Sequence, residues 1–409
     1  MIKNINFIYK NKGGLCNAKQ SILDHPTEQI LIQVFSGIIE KVVIEALLKE
    51  LKETFPHTPI IGTTTAGEIL NSTLLEKTIV ISISTFQCTT VRTILESNND
   101  NLSVTGNNIG EKFKDTPPAA LILFGCGLKN KRTIDATALL SAIYTNLPNV
   151  IVAGAQAGDN GEGKNTFVFT ENGVTDTGVV AAGLSGENLD VNNTYNLSWI
   201  PIGKKMTITK VDGPRVYSID DQSPYELYSH YLGKEVADGL PLSAADFPLI
   251  IKRNNITMAI HAIGVNDDGS FEYIHSFNPG EQVQFGFCHA GLLAIGARET
   301  YNDLKSKQVQ ASFIYSCVSR KWILGSDINI EISPIAKLAP TSGFFAYGEY
   351  FTFQKQKSCL FLSQTMTVLT LAERSEFENR VIHENLPLPI TDEESKQFKT
   401  LKVLHRLVE

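Results

Sequence analysis

Residues 59–68, PIIGTTTAGE, decide the fold predicted for this chain of 409 residues. They are typical of a short strand that runs into a glycine loop and ends at a carboxylate. Upstream, residues 29–35 (QILIQVF) predict another strand, and residues 38–55 have apolar side chains at helical spacing up to Pro56, which ends the helix. Strand, helix, strand and glycine loop therefore form one structural unit.

The same unit returns further along the chain. Residues 119–124 predict a strand, residues 133–147 predict a helix ended by Pro148, and residues 150–159 (VIVAGAQAGD) predict a strand with a glycine loop. Both loops contain Ala-Gly followed by an acid. A hairpin around residues 171–173 (ENG) then follows the second loop. We therefore predict an internal duplication of a β-α-β-hairpin unit.

A third copy of the loop lies near the end of the chain. Residues 343–349 (GFFAYGE) repeat the G-x4-G-E spacing of residues 62–68. Upstream, residues 313–317 (FIYSC) resemble residues 122–126 (ILFGC), an apolar strand that ends in cysteine. The second half is therefore predicted to reuse the same parts. The predicted fold class is α+β, with mixed, largely antiparallel sheets flanked by helices.

Two helices of the second half are also predicted. Residues 223–226 (SPYE) have serine at the cap, proline at the first helical position and glutamate three residues after the cap, which is typical of a helix start. This helix is expected to end at Gly233. Residues 289–304 form the other helical segment of this half.

Composition excludes several classes of protein. A hydrophobic fraction of 43% excludes a disordered chain, and a formal net charge of -7 argues against nucleic acid as the main partner. No run approaches the roughly 18 apolar residues of a membrane span, and the first residues lack the apolar core of a signal peptide. The six cysteines form no CxxC motif and no Cys/His cluster, so we predict no metal, no cofactor and a reducing, cytoplasmic location.

The chain has no strong catalytic motif, since GxSxG, HExxH and the P-loop are all absent from the sequence. The glycine loops are the informative feature, because glycine leaves main-chain N–H groups uncovered. Beside hydroxyls and carboxylates, such loops suit a small polar ligand, with amides binding its carboxylate and an acid binding its ammonium. In the alternative interpretation, the glycines only form tight turns and the acids cap neighbouring amides.

A second cluster lies at the end of the predicted strand 313–317, at residues 316–320 (SCVSR). Arg320 suits a carboxylate clamp, or else an ion pair within the protein. A nucleophilic Cys317 would need a base, and the sequence identifies none, so the chain is predicted not to be an enzyme. Two alternatives stay open: a hydrolase that uses a threonine, the cysteine or a carboxylate pair, and a scaffold that recruits another protein.

Together these patterns resemble the FIST proteins, a bacterial sensory module made of an N-terminal and a C-terminal FIST domain. The motifs run in family order over residues 30–373. They are GTTTAGE at residues 62–68, GAQAGD at 154–159 with FVF at 167–169, WIPIG at 199–203, DDQSPYELYSHYL at 220–232, FPL at 247–249, Ser316-Cys317 with Arg320, GFFAYGE at 343–349 and QTMT at 364–367.

The resemblance implies a ligand-binding sensory input module of signal transduction that signals to a kinase, cyclase or chemoreceptor output domain. Amino acids or their derivatives are the implied ligands. We predict an N-terminal FIST domain at residues 1–192, a C-terminal FIST domain at residues 193–373, and a linker with a C-terminal helix at residues 374–409. The predicted ligand-binding residues are Thr63, Thr64, Thr65, Gly67, Glu68, Gly158, Asp159, Ser316, Cys317, Arg320, Tyr347, Gly348 and Glu349.

The C-terminal end has its own pattern. Residues 387–389 (PLP) predict a stiff break, and residues 391–394 (TDEE) predict a helix start with acids in the first turn. Apolar residues at a spacing of three to four continue this helix to Glu409. Either the helix docks on the protein, or it begins a coiled coil toward an output domain. A coiled coil would also pair two copies of the chain as a homodimer.

Overall fold

The computed structural model describes residues 1–23, 29–97, 101–374 and 386. The predicted C-terminal helix at residues 391–409 lies outside these residues. Helices are interspersed among runs of consecutive strands along the described ranges. The α-helices are α1 (Lys12–Leu23), α2 (Lys41–Thr54), α3 (Leu102–Phe113), α4 (Thr137–Asn146), α5 (Pro224–Leu232), α6 (Lys234–Asp238), α7 (Ala290–Leu304), α8 (Val318–Leu324) and α9 (Asn329–Ala336).

The first of three similar units has the order strand, helix, strand, helix, strand, hairpin, strand. With α1 and α2 it contains β1 (Lys3–Ile8), β2 (Gln29–Ser36), β3 (Ile60–Thr64), β4 (Glu68–Leu70), β5 (Thr73–Leu75) and β6 (Ile79–Phe86). The second unit repeats this order with α3 and α4. It contains β7 (Thr90–Ser97), β8 (Ala120–Gly125), β9 (Leu128–Lys129), β10 (Arg132–Thr133), β11 (Ile151–Gln156), β12 (Val168–Thr170), β13 (Gly173–Thr175) and β14 (Gly178–Ser185).

The third unit begins with β15 (Leu189–Asn196) and is interrupted by an insert. The insert holds α5, α6, β16 (Ile200–Asp212), β17 (Arg215–Ile219), β18 (Leu249–Arg253), β19 (Ile256–Ile260), β20 (Ala262–Val265), β21 (Phe271–Tyr273) and β22 (Gln282–Phe287). The unit then continues with α7 to α9. Its remaining strands are β23 (Ala311–Cys317), β24 (Thr341–Ala346), β25 (Glu349–Phe353), β26 (Ser358–Leu362) and β27 (Met366–Glu373).

Strand direction is the same in all three units. Each has one parallel pair, β2 with β3, β8 with β11 and β23 with β24, because a helical crossover joins the two strands. The last strand of each unit, β6, β14 or β27, returns antiparallel beside the first strand of that pair. The mixed α+β architecture with repeated units is therefore confirmed. The predicted boundary at residue 192 falls inside β15, and the division into domains stays a prediction.

Each unit gives its hairpin to the sheet of another unit. The hairpin β4–β5 pairs with β24 of the third unit, β12–β13 pairs with β3 of the first, and β25–β26 pairs with β11 of the second. The three resulting six-stranded sheets are therefore each built from two units. This cyclic exchange binds every unit to both others through main-chain hydrogen bonds.

The inner faces of the three sheets enclose one shared apolar core. At its centre lies Phe344 of β24, whose ring centroid is 5.5 Å from that of Phe35, 5.4 Å from Phe124 and 5.6 Å from Tyr315. The three surrounding rings come one from each unit. Edge and stacked contacts of this kind add roughly 0.5–1.5 kcal/mol per pair beyond area burial.

The first and second units carry smaller residues at the positions equivalent to Phe344. Phe35, Phe124 and Tyr315 are the parallel register partners of Thr63, Ala155 and Phe344. Two of the three equivalent positions therefore carry small side chains, which leaves space for one phenylalanine on the central axis.

The insert is a seven-stranded antiparallel sheet with its own apolar core. Tyr228 of α5 packs against Phe271 and Phe285, with ring centroids 5.2 Å and 4.9 Å away. Helix α5 begins with the capping box predicted from Ser223 and Glu226 and has Gly233 as its C-cap. Phe351 and Phe353 of β25 belong to the same core, so the insert packs against the third unit.

A buried carboxylate joins the last described strand to the first unit. Glu373 accepts hydrogen bonds from the backbone N–H groups of Gln87 and Cys88 (2.9 Å each), from the Thr89 hydroxyl (2.7 Å) and from the Met1 ammonium (2.9 Å). Burial alone would raise the pKa of Glu373, but these hydrogen bonds to its charged form lower it to about 2.

Replacing Glu373 with glutamine should lower the free energy of unfolding at neutral pH by about 2 kcal/mol, because hydrogen bonds to a charged group contribute roughly 1.5–3 kcal/mol. The folded pKa of Glu373 lies below its ordinary value of 4.5. Its contribution is therefore complete above that value and is lost as the pH falls toward 2. Urea unfolding at pH 7 and at about pH 4 measures both effects.

The matched control for Glu373 is Asp190→Asn, because Asp190 pairs with Arg374 at the same end of β27 and both side chains are partly exposed. This variant should change the stability by less than about 1 kcal/mol. An E373Q variant with unaltered stability and the same acid sensitivity as the wild type would contradict the role of Glu373.

Candidate functional site

The three predicted glycine loops meet at one end of the shared core. We call them the first loop (residues 65–67, between β3 and β4), the second loop (residues 157–167, between β11 and β12) and the third loop (residues 347–348, between β24 and β25). Each lies where the chain leaves the sheet of its own unit for that of another. The exchange of hairpins therefore brings the three loops together.

Main-chain hydrogen bonds close the three loops and their flanking residues into a ring. The bonds are Gly158 N to Thr64 O (3.0 Å), Asn160 N to Thr65 O (3.0 Å), Ala66 N to Phe345 O (2.8 Å), Phe345 N to Gly67 O (2.8 Å) and Gln156 N to Gly348 O (2.8 Å). Each loop thus contacts both others. The amides that a ligand would use are largely occupied by the protein itself.

Glycine is required in the strands that lead into two of the loops. Gly154 has a φ of 137°, and a Cβ there would lie 2.0 Å from the carbonyl oxygen of Leu123 on the neighbouring strand. Gly343 has a φ of 155°, and its Cβ would lie 1.9 Å from the carbonyl oxygen of Ile314. Any side chain would therefore force the parallel strands apart.

Glu68 stabilises the first loop from within the protein. It accepts hydrogen bonds from the hydroxyl of Thr65 and from both the backbone N–H (2.9 Å) and the hydroxyl (2.7 Å) of Thr78. Burial raises the pKa of Glu68, and these hydrogen bonds oppose the shift. Glu68 therefore caps neighbouring groups of the protein, as in the alternative interpretation of the glycine loops.

Asp159 folds the second loop in a similar way. Its carboxylate accepts the backbone N–H groups of Gly163 (3.0 Å), Lys164 (2.5 Å) and Asn165 (3.0 Å). The hydroxyl of Tyr347, from the third loop, donates to the same carboxylate. Asp159 and Tyr347 therefore connect the second loop to the third.

Glu349 is the counterpart of Glu68 in the third unit and lies near Thr365, but among the described residues no hydrogen bond reaches either of its buried carboxyl oxygens. Burial raises its pKa well above the ordinary value, while Thr365 and the charge of Arg320 act in the opposite direction. Burial therefore disfavours the charged form of this carboxyl group.

Arg320 is buried and binds a carboxylate of its own chain. Its Nε donates to Glu331 Oε2 (3.0 Å), its Nη2 donates to Glu331 Oε1, and its Nη1 donates to the carbonyl oxygens of Leu197 (3.1 Å) and Gln364 (2.9 Å). Asn196 also donates to Glu331 Oε1 (2.8 Å). The arginine thus joins α8 and α9 to the chain that enters the insert.

Cys317 lies at the end of β23 with its thiol buried. Burial and then the nearby Glu349 raise the pKa of this thiol to about 12. The hydroxyl of Ser319 donates to Gln364 Oε1 (2.5 Å), and its oxygen lies 3.0 Å from the sulfur of Cys317. A neutral, enclosed thiol of this kind is a poor nucleophile.

The remaining predicted residues lie in the same region but deep inside it. Thr63, Thr64 and Ser316 are buried, and the Thr64 hydroxyl accepts the backbone N–H of Phe167 (3.0 Å). Whether any of the thirteen residues contacts a ligand stays a prediction. In the described ranges, no group of three or more His, Cys, Asp or Glu residues is placed to hold a metal ion.

The solvent-facing side of the ring carries the predicted Tyr347 together with residues that the motifs did not single out. We call the set Glu76, Gly161, Lys321, Trp322 and Tyr347 the rim. Lys321 Nζ donates to the carbonyl oxygen of Ala66 (2.9 Å) and forms an ion pair with Glu76. Trp322 is 51% exposed, and a Cβ on Gly161 would lie 3.7 Å from its ring.

The chain offers weak signals for these residues. Lys321 and Trp322 directly follow the predicted Arg320, so a helix at that point would place them on its other side. Glu331 lies within a mostly apolar stretch, and Glu76 lies on the far side of a hairpin from the glycine loop. Only the fold brings these two acids to their basic partners.

Replacing Arg320 with methionine should lower the free energy of unfolding by about 3–5 kcal/mol, because it leaves the carboxylate of Glu331 buried and unpaired. The double variant R320M/E331M should recover part of this loss, since both charges are removed. Urea denaturation followed by circular dichroism measures the three stabilities.

The control for the buried pair is Glu111→Gln, which breaks the exposed pair with Lys114 (3.0 Å). It should change stability by less than about 1 kcal/mol. If R320M were as mild as E111Q, the Arg320–Glu331 pair would not stabilise the junction with the insert.

The state of Cys317 predicts how the native thiols react. With a disulfide reagent at about pH 8, the exposed Cys16 and Cys88 should react, whereas Cys126, Cys317 and Cys359 should react only after unfolding. A C16S/C88S variant isolates the slow thiols, and peptide mapping identifies each product. Modification of Cys317 in the folded protein at the rate of Cys16 would restore a nucleophilic role.

The comparisons with known proteins point to one family. The model of the FIST N domain matches residues 30–222, and that of the FIST C domain matches residues 224–352. A search of curated proteins gives no match. Among solved structures, "Structure of PurLQS from Thermotoga maritima" is 9% identical with a TM-score of 0.20, covers 91% of this chain and 72% of that chain, and carries no argument at that level.

FIST domains are sensory modules of signal transduction. In the described ranges, no helix has the length and apolar character needed to span a membrane. The two family models together cover most of the sequence, in the order that the sequence motifs predicted. The chain therefore belongs to the FIST domain family.

Proposed function

We propose that this chain senses a small polar metabolite, an amino acid or a related molecule, in the cytoplasm of a bacterium and passes the signal to a kinase, cyclase or chemoreceptor output domain. The ligand binds on the rim. The observation that carries the proposal is the convergence of the three glycine loops in one ring, with a partly buried lysine, an exposed carboxylate and an exposed aromatic ring on its outer side.

The rim supplies the three groups that an amino acid needs. The ammonium of Lys321 suits the ligand carboxylate, and the carboxylate of Glu76, which is 60% exposed, suits the ligand ammonium. A ligand carboxylate would replace Glu76 as the partner of Lys321, while the lysine keeps its hydrogen bond to the carbonyl oxygen of Ala66 (2.9 Å). The exposed face of Trp322 then offers a surface for the ligand side chain or for a cationic group.

Helix α8 connects the rim to the rest of the protein. Trp322 is 51% exposed and the Lys321 side chain 16% exposed, while the adjacent Arg320 is buried and paired with Glu331 of α9. A ligand that pulls on Lys321 therefore acts on the same seven-residue helix that holds the insert. Movement of α8 against the insert and α9 is the proposed first step of signalling.

The alternative enzyme class has weaker support. The hydroxyl of Thr65 is committed to Glu68, burial raises the pKa of the Cys317 thiol to about 12, and burial raises the pKa of Glu349 well above its ordinary value. These states oppose both a nucleophile and a pair of ionised carboxylates. The predicted C-terminal helix, as an exit for the signal or as a homodimer interface, lies outside the described residues and remains part of the proposal.

Tryptophan fluorescence tests the proposed site directly. The chain has two tryptophans; Trp199 is buried and Trp322 is exposed, so a ligand on the rim should change mainly the emission of Trp322. Titration with a panel of amino acids and related metabolites should give a saturable change for at least one member. Lys321→Met should weaken that binding by about tenfold or more, because one charge-assisted hydrogen bond is lost.

Two controls sharpen the titration. Lys234→Met removes an exposed lysine of α6, away from the rim, and should leave the affinity unchanged. Trp322→Phe should abolish the fluorescence change while a thermal-shift assay still detects binding. A folded protein that responds to no member of the panel, or a W322F variant with the full fluorescence response, would contradict the proposal.

A further inference from the structure

The sheet of the first unit carries a group of uncharged polar side chains on one face. Asn4 and Asn6 lie on β1, Gln33 lies on β2, and Ser82 and Ser84 lie on β6. The strand register pairs Asn4 with Ser84 and pairs Ser82 with both Asn6 and Gln33, so the five residues are neighbours. We call them the polar layer.

The polar layer faces the shared apolar core. Residues two positions apart on a strand point to the same side of the sheet. Leu31 and Phe35, on either side of Gln33, belong to the shared core, and so do Val80 and Phe86, which flank the two serines of β6. The amides and hydroxyls of the layer are therefore directed into the interior of the molecule.

Most polar atoms of the layer lack a partner in the described part of the chain. Gln33, Ser84 and Asn4 are 0%, 1% and 8% exposed. The Ser82 hydroxyl donates to Asn4 Oδ1 (3.0 Å). Among the described residues, no hydrogen bond reaches the side-chain amide of Gln33, that of Asn6, Asn4 Nδ2 or the Ser84 hydroxyl. Buried polar groups in folded proteins nearly always have a partner, because leaving one unpaired is unfavourable.

The other two units carry apolar residues at the positions equivalent to Gln33 and Ser84. The register around the central rings defines these positions. The equivalent residues are Ile122 and Leu184 in the second unit and Phe313 and Leu371 in the third. Only the first unit therefore places an amide and a hydroxyl where the others place hydrocarbon.

The edge strand shows the same contrast. The residues equivalent to Asn6 are Thr93 and Asn193. Thr93 donates to Glu171 Oε1 (2.6 Å), and Asn193 donates to the carbonyl oxygen of Thr352 (3.0 Å). In those units a hairpin thus supplies the partner, whereas no described residue does so for Asn6.

The third unit adds a further hydroxyl at the same depth. Gln33 and Ser342 each lie two residues before a ring, and those rings, Phe35 and Phe344, stack with centroids 5.5 Å apart. Both strands run toward the glycine loops, so Gln33 and Ser342 lie in one layer of the core. Ser342 is 0% exposed, and its hydroxyl has no partner among the described residues.

We propose that the polar layer is an internal binding site for an uncharged molecule that both donates and accepts hydrogen bonds. Water and small neutral amides and alcohols belong to this class. Side-chain amides offer donors and acceptors together, and hydroxyls can act as either. None of the five side chains is ionisable, so a charged molecule would lie in the apolar core without a counter-charge from the layer, which is unfavourable.

The position of the layer gives the bound molecule a route and a place between two units. Strand β1 is the terminal strand of its sheet, and Asn6 is only partly buried. Gln33 lies two strands further in, about 10 Å from β1, because neighbouring strands are roughly 4.8 Å apart. A molecule that enters past β1 and reaches Gln33 and Ser342 then joins the first unit to the third. This site is independent of the charged rim.

A crystal structure of the full chain, at about 1.5 Å resolution and without glycerol or other neutral additives, tests the site. Density should lie roughly 2.6–3.2 Å from at least two side chains of the polar layer. Isolated peaks would identify water, and continuous density would identify an organic molecule. Side chains of the layer bonded directly to other protein atoms, with no density between them, would overturn the proposal.

A measurement in solution separates the two sources. Relaxation dispersion of the water oxygen counts long-lived internal waters, and mass spectrometry of the denatured protein detects a released neutral compound. Gln33→Leu should remove at least one such water, or lower the amount of the compound by about tenfold, because a charge-free hydrogen-bonding partner is lost. Ser84→Ala, a smaller change in shape, should act in the same direction if Q33L does not fold.

The matched control is Gln356→Leu, because Gln356 is exposed in the turn between β25 and β26. It should leave both measurements at the wild-type values. A wild-type count of waters in folded Q33L or S84A, together with no released compound from the wild type, would show that the layer binds no molecule.

Discussion

The pairing of each hairpin with a strand of a different unit is the interaction on which the molecule depends. It places three glycine loops at one crossing point, because each chain must leave its own sheet there. It also brings three inner faces around a single core, with Phe344 on the central axis between Phe35, Phe124 and Tyr315. The primary role of the loops is thus to carry the chain from one sheet to another, and the proposed ligand site lies on their outer side.

Local patterns predicted the parts well and their assembly poorly. The strand–helix–strand units and the glycine loops follow from periodicity and from the need for glycine at Gly154 and Gly343, and the Ser223 capping box follows from three side chains in a row. The exchange of hairpins does not, because register between distant strands leaves no local signature. The start of one helix was also predicted wrongly. The helical pattern began at residue 133, but Arg132–Thr133 form a short strand and α4 begins only at Thr137.

The candidate site shows a similar division. The predicted acids and hydroxyls do lie together, yet Glu68 and Asp159 are engaged by neighbouring amides and hydroxyls, and Arg320 is engaged by Glu331. Residue type and spacing identify groups able to bind a polar ligand, but they do not reveal which groups the protein has already used for itself. Which side chains a ligand can reach depends on the whole fold. In the structure the candidates are Lys321 and Trp322, which lie outside the motifs.

The cyclic exchange also sets the order in which the chain can become complete. The hairpin β4–β5 is made early in synthesis, but its partner strand β24 comes much later, and the hydrogen bond from Thr341 to Asn71 spans 270 residues. Until then, hydrogen-bonding edges of the first unit have no partner, which is the condition that favours wrong pairing with other chains. A nascent chain of this design therefore matures late and all at once, and it depends on protection from aggregation until its last strands leave the ribosome.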